Sequence, residues 1–157
     1  MMKAGHDVPA LYLTRNGFLE RVAHLQVLAC LCALAAELGI VRRVIFAGFQ
    51  PDPAPFYASA DLFVLSSDYE GFGNVIVEAL AQGTPVVATD CPFGPAEILD
   101  NGRWGRLVPV GDEAALARAM SEALAETPDR AALRRRAADF SPEKAARRYL
   151  ELVCEKR

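Results

Sequence analysis

Glu70 and Glu78 bracket a stretch, opening with Gly71-Phe72-Gly73-Asn74, whose residue types suit the binding of a polyhydroxylated anion. The glycines at 71 and 73 let the backbone approach a ligand with no side chain in the way. Apolar Val75, Ile76, Ala79 and Leu80 then recur at helical spacing from Asn74 to Ala81, so the loop opens a helix whose first N–H groups have no partner inside it. An anion fits there, since the helix dipole adds roughly 0.3–1 kcal/mol per favourable charge, and phosphate is a reasonable guest. Carboxylates beside a phosphate site must serve something else. When ionised they accept hydrogen bonds and donate none, which suits sugar hydroxyls; Glu78, one turn beyond Asn74 on the same helical face, could take both hydroxyls of a ribose diol. Phosphate in the middle with hydroxyls on either side describes a nucleotide sugar. Each part also has a plainer meaning, because Gly-x-Gly loops between strand and helix are common and a lone helical Glu is usually solvated. It is the combination, followed by Ala81-Gln82-Gly83-Thr84-Pro85-Val86-Val87-Ala88, that points to a specific site.

The elements that must position these residues are a strand before the loop and a strand after the helix. Leu62 to Leu65 and Pro85 to Ala88 are short unbroken apolar runs bounded by turn residues, as in parallel strands covered on both faces. In such a β-loop-α-β unit, ligands sit outside the carboxyl ends of the strands. Val44 to Ala47, ending at Gly48-Phe49, is expected to be a further buried strand, as is Arg106 to Val108, and Val8 to Thr14 is the candidate for the strand that opens the sheet. Asp52-Pro53 and Pro55 mark a turn and a short helix in which Phe56 and Tyr57 are expected to pack. Pro95 suits the first position of a helix running through Glu97 and Leu99. Asp112 is an N-cap for a helix ending near Glu126, and Thr127-Pro128 and Ser141-Pro142-Glu143 each pair a cap with a first-turn proline. Ahead of all these, Val27 to Ala36 is too short an apolar run to span a bilayer; it is expected to be a core helix stopping at Gly39, and a signal peptide is disfavoured by Asp7 and Glu20.

A chain of 157 residues, 52% hydrophobic and 24% charged, has the length and composition of one ordinary domain with a core. Its net charge of −3 gives no reason to expect nucleic acid as a partner. Cys30, Cys32, Cys91 and Cys154 lack metal-site spacing and read as reduced residues packed like small hydrophobes. His6 and His24 have no evident partner that would make either a general base. No aspartate pair is spaced as a metal-binding site requires, so neither metal nor cofactor is expected. Arg134, Arg135, Arg136, Arg147 and Arg148 read as a solvated helix face, with a membrane-surface patch as the alternative.

From about Leu38 to the C-terminus, and most strongly across Ala60 to Pro109, the chain resembles the donor-binding domain of retaining glycosyltransferases of the GT-B fold, the glycosyl transferases group 1. The residues that carry the resemblance are Glu70-Gly71-Phe72-Gly73 with Glu78, the Ala-x-Gly-x-Pro-Val-Val-Ala string, and Gly94-Pro95-Ala96-Glu97-Ile98. The fold so implied is α/β, a Rossmann-like parallel sheet with helices on both faces, as the C-terminal half of a GT-B fold. Residues 39–157 would form the nucleotide-sugar-binding domain and 1–38 a divergent front segment, so that the domain looks shortened there. The resemblance implies transfer of a sugar from a UDP or GDP sugar to an acceptor hydroxyl with retention, in polysaccharide or glycan assembly. Glu70 would be the catalytic residue, holding the sugar near its reacting face. Gly71, the backbone N–H groups of Phe72, Gly73 and Asn74, with Glu78 on the ribose, would bind the donor. Arg15 and Arg21 would stand in for the family's cationic pair, and Gly48 and Phe49 would lie near the base. An acceptor domain or partner chain is implied, and a cytoplasmic setting, with peripheral membrane contact suggested by the lipid-linked acceptors of many relatives. The alternative is a non-catalytic nucleotide-sugar-binding fragment or subunit completed in trans. A sugar epimerase is disfavoured by the central string as a whole, and a dehydrogenase by the missing third glycine and ribose-binding acid.

Overall fold

The computed structural model describes residues 11–12 and 21–154, with side chains from Leu28 onward. The chain divides into two compact units, meeting in sequence at Pro53 and Ala54.

In the first unit, β1 (Leu11–Tyr12) pairs in parallel with β2 (Val44–Ile45), Leu11 opposite Val44 and Tyr12 opposite Ile45. A strand therefore does form within the expected Val8 to Thr14 segment. Helix α1 (Arg21–Glu37) stops where Gly39, at φ 67°, takes the left-handed conformation and donates its N–H to the Ala36 carbonyl. Two expectations are corrected here. Ala35 is buried, but Leu31, Leu34 and Leu38 are exposed, so α1 is not a core helix over its described side chains. The strand expected over Val44 to Ala47 is shorter, and Ile45 faces solvent rather than a core.

The second unit holds a three-stranded parallel sheet of β3 (Phe63–Leu65), β4 (Val86–Thr89) and β5 (Arg106–Val108), with β4 in the centre. Phe63, Val64 and Leu65 face Val86, Val87 and Ala88, while Val87, Ala88 and Thr89 face Arg106, Leu107 and Val108. All of β4 is buried, and its period-two alternation sends side chains to separate cores. Val86 and Ala88 pack with Ile76 and Leu80 of α3 (Asn74–Ala81), Ile98 of α4 (Pro95–Ile98) and Leu133 of α6 (Arg130–Ala137). Val87 instead joins Val108 and Ala119, the last on α5 (Glu113–Ala125), with Leu116 and Met120 beside them. Helices thus cover both faces of the sheet, as the unbroken apolar strands imply. Each fully buried Ile or Leu in this core is worth about 1.5–3 kcal/mol over leaving it exposed. The other α-helices among the described residues are α2 (Ala54–Ser59) and α7 (Pro142–Cys154).

Local signals set most helix starts. The Asp112 carboxylate accepts from the Ala115 N–H at 2.8 Å, and Pro95 occupies the first turn of α4. One start differs from expectation: α6 is capped by Asp129, whose carboxylate accepts from Ala132 N–H at 2.9 Å, and not by Thr127-Pro128. The helix begins at Arg130, so Asp129, the residue just before it, is the one whose side chain reaches the first-turn N–H groups. The arginines of α6 are also reassigned. Arg130 and Arg134 donate to the carbonyls of Gly83 and Gln82 at the end of α3, at 3.3 and 3.1 Å. Arg136 donates to the carbonyls of Ile98 and Glu97 at 2.9 and 2.7 Å and lies over the Phe140 ring. These cations satisfy the free carbonyls and the negative dipole end of two helices. Arg134 is exposed even so, as are Arg135, Arg147 and Arg148.

Candidate functional site

The carboxyl ends of β3 and β4 each lead into a loop, and the two loops lock together. Gly73 caps α3 in the left-handed region at φ 86°, where a residue with a Cβ is strained; its carbonyl accepts from the Ile76 N–H at 2.9 Å. The neighbouring loop crosses at Gly94, φ 107°, where a Cβ would sit 1.7 Å from the Phe72 carbonyl oxygen. Only glycine fits. Gly71, by contrast, stands open, with nothing within 4 Å of a Cβ placed there. The Phe72 ring turns inward onto Phe140, at 5.7 Å between centroids, leaving its backbone as the part that faces the loop.

Glu70 is half-buried and held from β4 in two steps. The Thr89 hydroxyl, at the buried end of β4, bonds the Ser67 carbonyl, and the Ser67 hydroxyl donates to Glu70 Oε1 at 2.7 Å. Glu78 is held from elsewhere, its Oε2 accepting from the Tyr57 hydroxyl of α2 at 3.2 Å. Cys91 is a buried residue of the second loop; burial pushes its thiol above the ordinary 9.0, and the negative charge of Glu70 adds to the shift. That buried thiol fits the expectation of a small hydrophobe, whereas Cys30, Cys32 and Cys154 are exposed and correct it. At the rim, Tyr69 and Phe93 meet edge to face at 6.0 Å, and both rings are mostly exposed.

The structure places Glu70, Gly71, Phe72 and Gly73 in one loop, Asn74 at the start of α3 and Glu78 one turn along it. Gly48 and Phe49 belong to the first unit, where Phe49 is 74% exposed. Arg15 lies outside the described residues, and Arg21 opens α1 with its side chain outside them. Ser67 and Thr89 were not anticipated, Tyr57 was expected only to pack, and Gly94 stood only as part of its Gly-Pro string. The Ser67-x-x-Glu70 spacing is a local signal that could have revealed the first; the others act across the sheet or between helices. Among the described residues, no three of His, Cys, Asp and Glu gather as metal ligands would, and no helix is long and apolar enough to cross a membrane. A cleft of about 300 Å³ does open between Pro85, Trp104 and Pro128, but at the end of the sheet where β4 and β5 begin. Ligands of open parallel sheets bind at the opposite end, where the Glu70 loop leaves β3 and α3 begins.

A backbone cradle at a helix start, flanked by oriented carboxylates, can bind a phosphate and hydroxyls on either side of it. Solved structures place the fold in the same class. A glycosyltransferase from Rickettsia africae ESF-5 superposes with a TM-score of 0.80 at 23% identity, covering 94% of this chain and 40% of that one. Anabaena Alr3699/HepE, solved in complex with UDP, superposes with a TM-score of 0.71 at 28% identity over 87% of this chain and 36% of that one. The fold shared with these neighbours is α/β, a parallel sheet covered by helices. Residues 22–126 match the family described as Glycosyl transferases group 1, and the chain belongs to that family. Among curated relatives, the lipopolysaccharide core biosynthesis glycosyltransferase LpsE of Rhizobium meliloti (strain 1021) is 42% identical over 99% of this chain and 45% of its own length. The chain thus spans about half the length of that relative.

Proposed function

We propose that this chain supplies the donor-binding half of a retaining glycosyltransferase that moves a sugar from a nucleoside diphosphate sugar to an acceptor hydroxyl in lipopolysaccharide or related glycan assembly. The observation that carries this reading is that Glu70, in the loop that opens α3, and Glu78, one turn into α3, are each oriented by a protein hydroxyl. Family membership and the LpsE relative support the reaction class, and the UDP in the Anabaena structure supports the donor type. In this reading the first N–H groups of α3 face the diphosphate and stabilise it as it departs, a fixed electrostatic arrangement that needs no reorganisation during the reaction. Glu70, anchored by Ser67, holds the sugar by its hydroxyls, and Glu78 holds the ribose. No metal takes part in this scheme. The acceptor is bound by residues outside this domain.

Calorimetric titration of the purified chain with UDP and with GDP tests the reading. One of the two should bind, and Glu78→Ala should weaken it by about 1.5–3 kcal/mol through loss of charge-assisted hydrogen bonds. Unchanged affinity in the variant would remove Glu78 from the ribose. A folded chain binding neither nucleotide would sink the donor site altogether.

A further inference from the structure

Tyr57 stands behind Glu78 as a fixed donor. It is 5% exposed, and its hydroxyl reaches Glu78 Oε2 at 3.2 Å. The tyrosine is itself immobilised from two further directions. Its carbonyl accepts from the hydroxyl of Thr84, a wholly buried residue in the turn after α3, at 2.6 Å, and its ring meets Phe63 of β3 edge-on at 5.4 Å. A buried phenol needs a hydrogen-bond partner, and a half-buried carboxylate on a flexible stem needs a reason to keep one rotamer; each supplies the other. Of the roughly four acceptor positions on a carboxylate, Tyr57 takes one at Oε2 from the protein side, leaving Oε1 for a ligand.

We propose that Tyr57 is a positioning residue that sets selectivity for ribonucleotides over deoxyribonucleotides by orienting Glu78; this rests on the nucleotide reading above. A site built to hydrogen-bond a hydroxyl rejects an analogue lacking it because its own polar group is then left unpaired. That penalty is greatest when the carboxylate cannot swing away to find water. With the Tyr57 hydroxyl removed, Glu78 is free to turn to solvent, so the gain from the diol and the penalty for its absence both shrink.

The test compares UDP with 2′,3′-dideoxy-UDP by calorimetry on the full chain, with the guanosine pair in parallel. The wild type should prefer the ribonucleotide. Tyr57→Phe should bind it about five- to tenfold less tightly, the scale of one ordinary hydrogen bond, while its affinity for the dideoxy analogue holds or rises. In a Glu78→Ala background the tyrosine substitution should have no further effect. A second variant, 3-fluorotyrosine at position 57, keeps the shape but donates more strongly and should raise the selectivity; it also serves if Tyr57→Phe fails to fold. Equal weakening of both nucleotides would mark Tyr57 as merely structural, and an unchanged ratio would likewise overturn the proposal. If the folded wild type binds none of the four nucleotides, it is the nucleotide reading that fails, and the positioning role falls with it.

Discussion

Helices α3 and α7 both carry apolar residues at helical spacing, and the chain treats them in opposite ways. α3 buries Ile76, Ala79 and Leu80 completely, and arginines from α6 close its carboxyl end. α7 has no buried residue and leaves Tyr149, Leu150, Leu152 and Val153 exposed. Amphipathic spacing shows that a face exists; whether anything in the same unit covers it depends on the sheet and on the neighbouring helices. The helix at the candidate site is the covered one. Its start is fixed by Gly73 and its end by Arg130 and Arg134, so the N–H groups of its first turn belong to a rigid element rather than to a loop.

Substitutions along this contrast should rank in a definite order. Leu80→Ala, at a fully buried position of α3, should cost about 2–5 kcal/mol in denaturant unfolding, from lost transfer energy and the cavity left behind. A cost below 1 kcal/mol would show that the α3 core collapses readily and would blur the contrast. Arg136→Ala should follow at about 1–3 kcal/mol, because two helix-end carbonyls of α4 lose a charged donor. Arg136→Lys should recover only part of that, since a point charge cannot reproduce two directed bonds. Leu150→Ala, on the open face of α7, should change stability by no more than about 0.5 kcal/mol. A large loss there would mean that α7 is covered in solution, and a matching change in sedimentation would identify the cover as a second copy.

The smallest effect concerns Cys91. Burial and Glu70 raise its thiol pKa above the ordinary 9.0, so the folded chain retains a proton that the unfolded chain releases. By linkage, this contribution to stability is intact below 9.0 and is lost as the pH rises past that value toward the folded pKa. Cys91→Ala should flatten that part of the stability profile. At neutral pH, a thiol reagent should modify exposed Cys30, Cys32 and Cys154 well before Cys91; equal rates would mean that the second loop opens readily.

The parts of the fold that were legible in the sequence are those whose cause is local. Asn74 to Ala81, Pro95 and Asp112 mark helix positions because propensity, the proline ring and a capping carboxylate act within a turn or so. Glu70 and Glu78 could be picked out because their spacing across a glycine loop is itself a local property. The devices that aim them could not be. Tyr57 reaches Glu78 across 21 positions, Thr89 reaches Ser67 across 22, and Arg136 reaches Ile98 across 38. No periodicity records such pairings, and a run of arginines looks the same whether it faces water or closes a neighbouring helix. The exposed side of α1 was missed for a related reason: an apolar run predicts burial only if something packs against it.

The contact between Gly94 and the Phe72 carbonyl has a further consequence. A peptide group is a rigid plate, with its oxygen on one edge and the hydrogen of the following residue on the other. Seating the Phe72 oxygen against Gly94 therefore also dictates where the Gly73 hydrogen points. A residue with no side chain, on a different loop, works as the stop that a dial is turned against. A single methyl at position 94 would rotate the plate, and the site would lose its aim while every polar residue in it remained in place.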